Sequence, residues 1–508
     1  MDCPSTQPQG SVSAAEQKFE RGRRTIGFWL GPLAFTAILL IPMPGLTPEA
    51  QRLAAVIALT LIYWICEPIP IPITALLGPA LCVLLGVAPA KAVLASFADP
   101  VIFVFIGSFL IAQAVMTHGL DRRIAISILS LKWVGNSTRR ILFTFGAIAA
   151  FLSMWLSNTA TTAMLLPIAL GILGVMTELM TEQRGIRVEM RDLKMSRGLL
   201  LMTAYAASVG GIGTPIGTPP NLLGRALIEE QTGTKISFLE WMSFGVPLVV
   251  VMFLVLYFII VRFHPPEVRE LTGLKDYLLQ RRESLGKWTR GQMNACIAFG
   301  VAVVLWVTPG IMNLVLGNDH AALKWYDTHL PEGIIAVLAA GVLFLLPVNW
   351  KERKFTLTWE EAVHIDWGTI LLFGGGIALG SLASSTGLAG VVGRGIFETT
   401  GVASLASITF LSIFLGIVIS ETASNTASAN IVIPVAIAVA LAAGVDPILP
   451  AIGACLGASF GFMLPVSTPP NAIVYGSGMI PIPSMVKTGV VFDVIGLVLI
   501  LAGVLLLV

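Results

Sequence analysis

Charged residues are scarce in this chain of 508 residues. Asp, Glu, Lys and Arg make up 12% of the sequence, whereas 56% of the residues are hydrophobic and the mean hydropathy is +0.86. A soluble protein of this size could not cover its surface with so few charges. Apolar runs such as 27–41 and 247–260 recur along the chain, and about 20 apolar residues are enough for a helix to cross lipid. The composition therefore predicts an all-α polytopic membrane protein that resides in the lipid bilayer.

Cysteine and histidine are also rare, with five residues of each. The cysteines are scattered, mostly in apolar runs, and have neither the spacing of a disulfide framework nor that of a zinc site. The histidines show no metal spacing, and no acid–base or metal cluster converges, which disfavours an intramembrane enzyme. The net charge of only +2 gives no indication of nucleic acid as a partner. Neither an enzymatic activity nor a nucleic-acid partner is expected.

The basic residues are grouped in a few polar segments: the N-terminal tail, the stretches on either side of 140–178, the central linker and 351–354. All of these lie on the cytoplasmic side if the N-terminus is inside and if 140–178 enters and leaves the membrane on one side, as the positive-inside rule favours. This arrangement predicts about 11 transmembrane helices plus two re-entrant hairpins, at 140–178 and 403–443. The C-terminus then lies outside the cytoplasmic (inner) membrane of the cell.

The two halves of the chain repeat each other. Residues 157–168 read SNTATTAMLLPI and residues 424–435 read SNTASANIVIPV. In each copy a Ser lies four positions before the motif and a Pro lies ten positions after its first Ser. Each copy is followed by Thr-Pro-Pro-Asn, at 218–221 and at 468–471. Because each half has an odd number of crossings, the second half must be inverted, which is the architecture of many secondary transporters.

These observations predict a division of the chain into five segments. They are a cytoplasmic tail (1–26), a first transmembrane helix outside the repeat (27–49), a first inverted repeat (50–263), a cytoplasmic linker (264–290) and a second inverted repeat (291–508).

Polar motifs inside apolar helices need a physical reason, because an unsatisfied backbone group in lipid costs several kcal/mol. Ser, Asn and Thr cap helix ends, and Pro fits the first turn of a helix but cannot continue one. We therefore expect a helix break at 213–219, its counterpart between 463 and 470, and a further break at each hairpin tip. Four helix ends then converge, and their free N–H groups and oxygens suit a carboxylate and a hard cation such as Na⁺. Capping alone is the alternative explanation.

The candidate substrate-binding residues lie in the two Ser-Asn-Thr motifs and in the two Thr-Pro-Pro segments. They are Asn158, Thr159, Asn425, Thr426, Thr218, Pro219, Thr468 and Pro469.

With these paired motifs, the sequence resembles the divalent anion/sodium symporter family over about residues 50–508. The resemblance implies an elevator-type homodimer that carries a small anion with Na⁺ as the coupling ion. It also implies two sodium sites, each formed by a hairpin tip and a helix break. The first would use Ser153, Ser157, Asn158 and the carbonyl of Gly217, and the second would use Ser420, Ser424, Asn425 and the carbonyl of Ser467. We expect the four-residue spacing of each Ser pair to place both hydroxyls on one helix face.

The function implied is sodium-coupled symport of C4-dicarboxylates (succinate, malate or fumarate) or related di- and tricarboxylates. The alternatives are a sodium-independent exchanger of dicarboxylate, tartrate or citrate, and a sulfate transporter of the same fold. Glu421, an acidic residue inside the second hairpin, has two interpretations: a role in coupling or proton sensing, because ionisable residues at membrane depth are often functional, or that of a satisfied structural carboxylate.

Overall fold

Helices dominate the computed structural model, which describes residues 14–184, 188–270, 273–317 and 319–508. The first half contains α1 (Ala14–Leu40), α2 (Pro48–Cys66), α3 (Ile71–Leu84), α4 (Ala90–Ala95), α5 (Pro100–Thr117), α6 (Leu120–Leu129), α7 (Thr138–Ser153), α8 (Asn158–Arg184), α9 (Lys194–Gly211), α10 (Pro219–Thr232) and α11 (Phe238–Phe263).

The linker contains α12 (Leu274–Glu283). The second half contains α13 (Arg290–Leu316), α14 (Ala321–His329), α15 (Glu332–Leu343), strands β1 (Pro347–Asn349) and β2 (Lys354–Phe355), α16 (Trp359–Ala362), α17 (Trp367–Ser385), α18 (Leu388–Thr400), α19 (Leu405–Thr422), α20 (Asn425–Ala442), α21 (Ile448–Ala458), α22 (Pro469–Tyr475) and α23 (Ile482–Leu507).

Within the described ranges, nine helical segments are long and apolar enough to cross a membrane, judged by length and composition. They are Pro48–Cys66, Ala90–Thr117, Asn158–Glu182, Phe238–Phe263, Arg290–Leu316, Trp367–Ser385, Leu405–Thr422, Asn425–Ala442 and Ile482–Leu507. The prediction of a multi-pass helical membrane protein is confirmed. The count of about 11 crossings and the re-entrance of both hairpins stay predictions, because α8, α19 and α20 are themselves long enough to cross.

Two parts of the chain differ from the sequence-based expectation in a physically simple way. Helix α1 begins at Ala14, inside the segment expected to be a tail, and residues 1–13 lie outside the described residues. The linker forms α12 because Leu274 and Leu278, one turn apart, are buried and pack against α6 and α8. The antiparallel pair β1–β2 is the exception to an all-α fold among the described residues, and Arg353 (φ 51°) lies in the turn between its strands.

Helices α5–α11 and α17–α23 occur in the same order in the two halves. In each half a long apolar helix is followed by a shorter one that begins after a glycine in the left-handed region, Gly119 (φ 62°) or Gly387 (φ 78°). Only glycine adopts this conformation readily, which accounts for the matched Gly-Leu pairs in the sequence. The short helices α6 and α18 themselves were not predicted.

The two halves pack into each other through matched glycines. A side chain at Gly107 of α5 would collide with the backbone of Ala336 in α15, and a side chain at Gly375 of α17 would collide with the backbone of Ala75 in α3. Gly107 and Gly375 are the corresponding glycines of the two repeated segments. Helix α15 belongs to the second half and α3 to the first, and the two helices hold corresponding places. Each half therefore supplies the helix against which the glycine of the other half packs.

An ion pair also joins the halves, and it is the most buried one among the described residues. The Arg225 guanidinium of α10 donates to both carboxylate oxygens of Glu332 in α15, at 2.9 Å each, and its Nε donates to the Ile236 carbonyl at 2.8 Å. The two side chains are 8% and 17% exposed. The paired geometry satisfies most of the guanidinium donors, so removing either partner leaves a poorly solvated charge.

We expect Glu332→Gln to destabilise the protein by on the order of 3 kcal/mol, because the Arg225 charge keeps its site but loses its counter-charge. Thermal or denaturant unfolding of the purified protein in detergent measures the effect. The matched control is Asp319→Asn, which breaks an exposed pair with Lys324 and should leave the unfolding transition in place. Equal and negligible shifts for the two variants would show that the buried pair contributes nothing to stability.

Candidate functional site

Each Ser-Asn-Thr motif lies where one hairpin helix ends and the next begins. Helix α7 ends at Ser153 and α8 begins at Asn158, while α19 ends at Thr422 and α20 begins at Asn425. The hydroxyls of Ser157 and Ser424 cap α8 and α20 by accepting hydrogen bonds from the N–H groups of Ala160 and Ala427, at 3.2 Å each. The first Ser of each motif is therefore a helix cap, as the structural interpretation requires.

The expectation that the paired serines share one helix face is wrong. Ser153 is the last residue of α7, and Ser157 lies beyond the end of that helix. The bonded pair is instead Ser153 with Asn158, whose Oγ and Oδ1 are 2.6 Å apart, and the equivalent Ser420 with Asn425, at 2.8 Å. The chain reverses at the tip, so the contact joins residues five apart across a helix boundary.

The two helix breaks are held closed by the last residue of each Thr-Pro-Pro-Asn segment. The Asn221 amide donates to the carbonyls of Gly211 (2.9 Å) and Thr214 (2.7 Å). The Asn471 amide donates to those of Gly461 (2.9 Å) and Leu464 (3.0 Å), at the same sequence offsets. Each asparagine therefore satisfies carbonyls that the broken helix leaves without partners.

The breaks lie close to their predicted positions, at 212–218 and 459–468. Pro219 and Pro469 are the first residues of the helices that follow, as their missing N–H favours. Thr218 and Thr468 precede them with nearly the same backbone angles, φ −143° and −142°. The second break is the longer one because α21 ends at Ala458, before the position that corresponds to Gly211.

One cavity of about 570 Å³ receives residues from both tips and both breaks. Its lining includes all eight of the candidate substrate-binding residues: Asn158, Thr159, Thr218, Pro219, Asn425, Thr426, Thr468 and Pro469. Ser157 and Ser424 also line it, whereas Ser153, Gly217, Ser420 and Ser467 do not. The structure thus brings the paired motifs to one space, with the remaining candidate sodium ligands behind its wall.

Oxygen atoms cluster behind the wall at both tips. Ser420 Oγ lies 2.8 Å from Asn425 Oδ1 and 2.9 Å from the Ala458 carbonyl, so one hydroxyl proton faces two acceptors. In the first half, Gly211 borders on Asn158 Oδ1 and on the Gly217 carbonyl. An excess of neutral oxygens over donors is the chemistry of a Na⁺ site, so the residues at both tips fit this ion.

Sequence reasoning missed the opposite wall of the cavity. That wall includes Gln113 of α5 together with His364, Asp366 and Thr369 at the start of α17. Asp366 caps α17 by accepting from the Thr369 N–H (3.1 Å) and hydroxyl (2.6 Å). No motif marks these residues, and an Asp three residues before a Thr indicates a helix cap at most. Neither Lys nor Arg lines the cavity among the residues that the structure describes.

Both carboxylate oxygens of Glu421 accept hydrogen bonds, and its role in coupling or proton sensing stays a prediction. Its Oε1 accepts from the N–H groups of Phe462 (2.6 Å) and Met463 (2.9 Å), and its Oε2 accepts from the Ser467 hydroxyl (2.7 Å). Glu421 therefore ties the second tip to the second break. In the first half the Thr214 hydroxyl makes the equivalent connection by donating to the backbone carbonyl of Met154.

We expect Asn221→Ala and Asn471→Ala to destabilise the protein equally, each by about 2–3 kcal/mol, because each removes two hydrogen bonds and leaves buried carbonyls unpaired. Unfolding in detergent measures the cost. Asn136→Ala is the control, because Asn136 is a half-buried loop residue whose side chain accepts a single, solvent-exposed hydrogen bond from the Lys275 N–H. If one of the two buried variants behaved like the control, the two breaks would not be equivalent.

Comparison with known proteins places the chain among transporters. It is 34% identical over 490 residues to the sodium-dependent dicarboxylate transporter SdcS of Staphylococcus saprophyticus, covering 96% of this chain and 91% of that protein. It is likewise 34% identical over 501 residues to SdcS of Staphylococcus aureus strain USA300, covering 97% and 92%.

Among solved structures, MtrF of Neisseria gonorrhoeae, which is described with a class of antimetabolite efflux pumps, shares the fold. Its TM-score is 0.51 at 13% identity, covering 81% of this chain and 82% of that one. Residues 27–506 match the sodium:sulfate symporter transmembrane region, and the chain belongs to this family.

Proposed function

We propose that this protein is a secondary active transporter that couples Na⁺ to the symport of a C4-dicarboxylate such as succinate, malate or fumarate. The observation that carries the proposal is the single cavity lined by both Ser-Asn-Thr motifs and both Thr-Pro-Pro segments. Two matched half-sites suit an anion with a carboxylate at each end. The SdcS relatives, named as sodium-dependent dicarboxylate transporters, support sodium coupling and this substrate class.

The polar atoms of the cavity account for anion binding without a basic side chain. Helices α8, α10 and α20 all begin at residues in its wall, and a helix N-terminus offers free N–H groups and a partial positive charge. Asn158 and Thr159 would hold one carboxylate, and Asn425 and Thr426 the other. Thr218, Pro219, Thr468 and Pro469 would complete the walls.

Sodium ions at the two tips would offset the negative charge of the bound anion, because the side chains that line the cavity do not balance it. In the described part of the chain, Asp366 is the only acidic or basic side chain of the lining apart from His364, and it repels an anion. Moving a carboxylate out of water costs several kcal/mol, so the anion needs cations nearby. The first sodium site would use Ser153, Ser157, Asn158 and the Gly217 carbonyl, and the second Ser420, Ser424, Asn425 and the Ser467 carbonyl.

The cavity faces the cytoplasm if the N-terminus is inside. Its second wall comes from the start of α3, the end of α5 and the start of α17, and the distribution of basic residues assigns all three ends to the cytoplasmic side. The Arg225–Glu332 pair joins α10 and α15 near their opposite ends. The protein would therefore be in an inward-facing state of an elevator-type homodimer in the inner membrane, with α10 held against α15 on the outer side.

We expect purified protein in liposomes to take up radiolabelled succinate only when an inward Na⁺ gradient is imposed. Uptake should be competed by malate and fumarate more strongly than by citrate, tartrate or sulfate, because the two half-sites match a short diacid. Equal uptake with K⁺ in place of Na⁺, provided that counter-substrate is inside, would favour the exchanger. Competition by sulfate alone would favour a sulfate transporter.

We expect Ser153→Ala and Ser420→Ala each to raise the Na⁺ concentration for half-maximal uptake about fivefold, the loss expected for one oxygen ligand or hydrogen bond. The control is Ser412→Ala on α19, a buried serine whose hydroxyl donates within its own helix to Ile408. Its Na⁺ dependence should match that of the unaltered protein. Unchanged Na⁺ dependence in both tip variants would contradict the assigned sodium sites.

A further inference from the structure

A second cavity, of about 290 Å³, lies between α6, α8 and the linker helix α12. We call it the basic cavity, because Arg122 of α6 and Arg281 of α12 line it together with Tyr277 and five apolar residues. Its described lining contains no acidic side chain and shares no residue with the substrate cavity. Both arginines are exposed, whereas Ile126 and Leu278 are buried, so the charges lie at the mouth and the apolar groups lie deeper.

The two guanidinium groups keep hydrogen-bond donors for a ligand. Arg281 Nε donates to the Tyr277 hydroxyl at 3.2 Å, and its guanidinium lies over the Tyr277 ring, 5.5 Å from the centroid. The carboxylate of Asp121 accepts from the backbone N–H of Arg122 at 2.7 Å. No ion pair recorded for the described residues includes Arg122 or Arg281. Because the guanidinium fork matches the oxygens of a phosphate, the pair suits a phosphate group.

The walls of the basic cavity are held in place by contacts outside its lining. The Ser130 hydroxyl of α6 donates to a carbonyl of α12 at 3.0 Å. The Arg123 guanidinium donates to the carbonyls of residues 285–287, which follow α12. The Tyr277 hydroxyl lies against Gly171 of α8, where a side chain would approach it to 2.8 Å. A ligand therefore meets a formed site and does not have to order it.

The surroundings of the basic cavity place it at the depth of lipid headgroups. Trp133 follows α6 and Trp288 follows α12, and these side chains are 54% and 52% exposed. Tryptophan is enriched where a membrane meets water. Arg122 and Arg281 belong to the basic segments that the positive-inside rule assigns to the cytoplasmic side. The cytoplasmic leaflet carries anionic lipids, and basic pockets between helices on that side bind their headgroups.

The second half of the chain provides an internal comparison. A cavity of about 220 Å³ lies beside α20, and Ile431, Pro434 and Val435 line it. In the register of the two Ser-Asn-Thr motifs, these residues correspond to the three α8 residues that line the basic cavity. Gly390 takes the place of Arg122, and the described lining holds no charged side chain. Positive charge thus marks only the cytoplasmic member of this matched pair.

The apolar part of the basic cavity distinguishes a lipid from a small free anion. Inorganic phosphate or a dicarboxylate would contact the arginines and gain nothing from the five apolar residues. A phospholipid carries a phosphate next to methylene groups, so it can neutralise the arginines and also remove apolar surface from water. A volume of about 290 Å³ suits a headgroup, with the acyl chains remaining in the bilayer.

We propose that the basic cavity binds the headgroup of an anionic phospholipid of the cytoplasmic leaflet. Arg122 and Arg281 hold the phosphate, and the apolar residues contact the methylene groups beside it. Helix α8 separates the two cavities, because its residues Asn158 and Ala163 line the substrate cavity and Met164 lines the basic one. The lipid therefore joins the linker helix to the first hairpin. This inference does not depend on which solute the protein transports.

Titration of the full-length protein in detergent with phosphatidylglycerol tests the site. Native mass spectrometry should show saturable binding, and the unfolding temperature should rise, because a ligand of the folded state stabilises it. Phosphatidylcholine should do neither, because the arginines repel its choline cation. In the double variant Arg122→Gln/Arg281→Gln the dissociation constant should rise about 30-fold, the effect of removing two cations beside an anionic headgroup.

The matched control is the double variant Arg139→Gln/Arg282→Gln. It removes the same charge from exposed arginines of α7 and α12 that do not line the basic cavity, and it should bind phosphatidylglycerol as the unaltered protein does. Without lipid, both double variants should unfold at the temperature of the unaltered protein. Equal weakening of lipid binding in the two double variants would reveal attraction to a basic surface in general and would overturn the proposal.

Inorganic phosphate and succinate identify the source of the bound anion. Neither should displace phosphatidylglycerol, and displacement by either would show a site for free anions in place of a lipid site. Na⁺-driven succinate uptake is measured separately on the same variants. Lipid binding without such uptake would refute the proposed function and leave the lipid site in place, whereas uptake without lipid binding would refute the lipid site alone.

Discussion

The satisfaction of backbone groups where apolar helices are interrupted is the constraint on which the rest of this structure depends. Each interruption exposes N–H and carbonyl groups that cannot bond to lipid. The hydroxyls of Ser157 and Ser424 accept hydrogen bonds from N–H groups at the helix starts. The amides of Asn221 and Asn471 donate hydrogen bonds to carbonyls inside the breaks. A few oxygens and helix N-termini around one cavity remain unpaired. These groups can bind an anion and a cation.

Much of this arrangement could be predicted from the sequence, because the motifs that satisfy a helix break are short and local. The tips, the breaks and the eight residues that share the cavity follow from the repeated Ser-Asn-Thr and Thr-Pro-Pro-Asn patterns. The bonding within each tip could not be predicted. A spacing of four residues indicates a shared helix face only if the helix continues, and α7 ends at Ser153, which is why Ser153 meets Asn158 instead.

Contacts between distant elements could not be predicted from sequence patterns, for a different reason. Asp366 and His364 enter the cavity wall through the packing of α17, and Glu421 meets the N–H groups of Phe462 and Met463 through the packing of the second tip against the second break. A lone acidic residue in an apolar helix signals that a partner must exist, but it does not say which. Likewise α12 is polar and its segment was predicted to be a linker, but the helix forms because two of its leucines are buried against other helices.

The reciprocal glycine contacts bear on how such a chain can fold. Gly107 needs α15 and Gly375 needs α3, so neither half of the chain completes its own helix packing. Each half supplies the helix that the glycine of the other half packs against. Folding of either half into its final packing therefore requires the other half to be present.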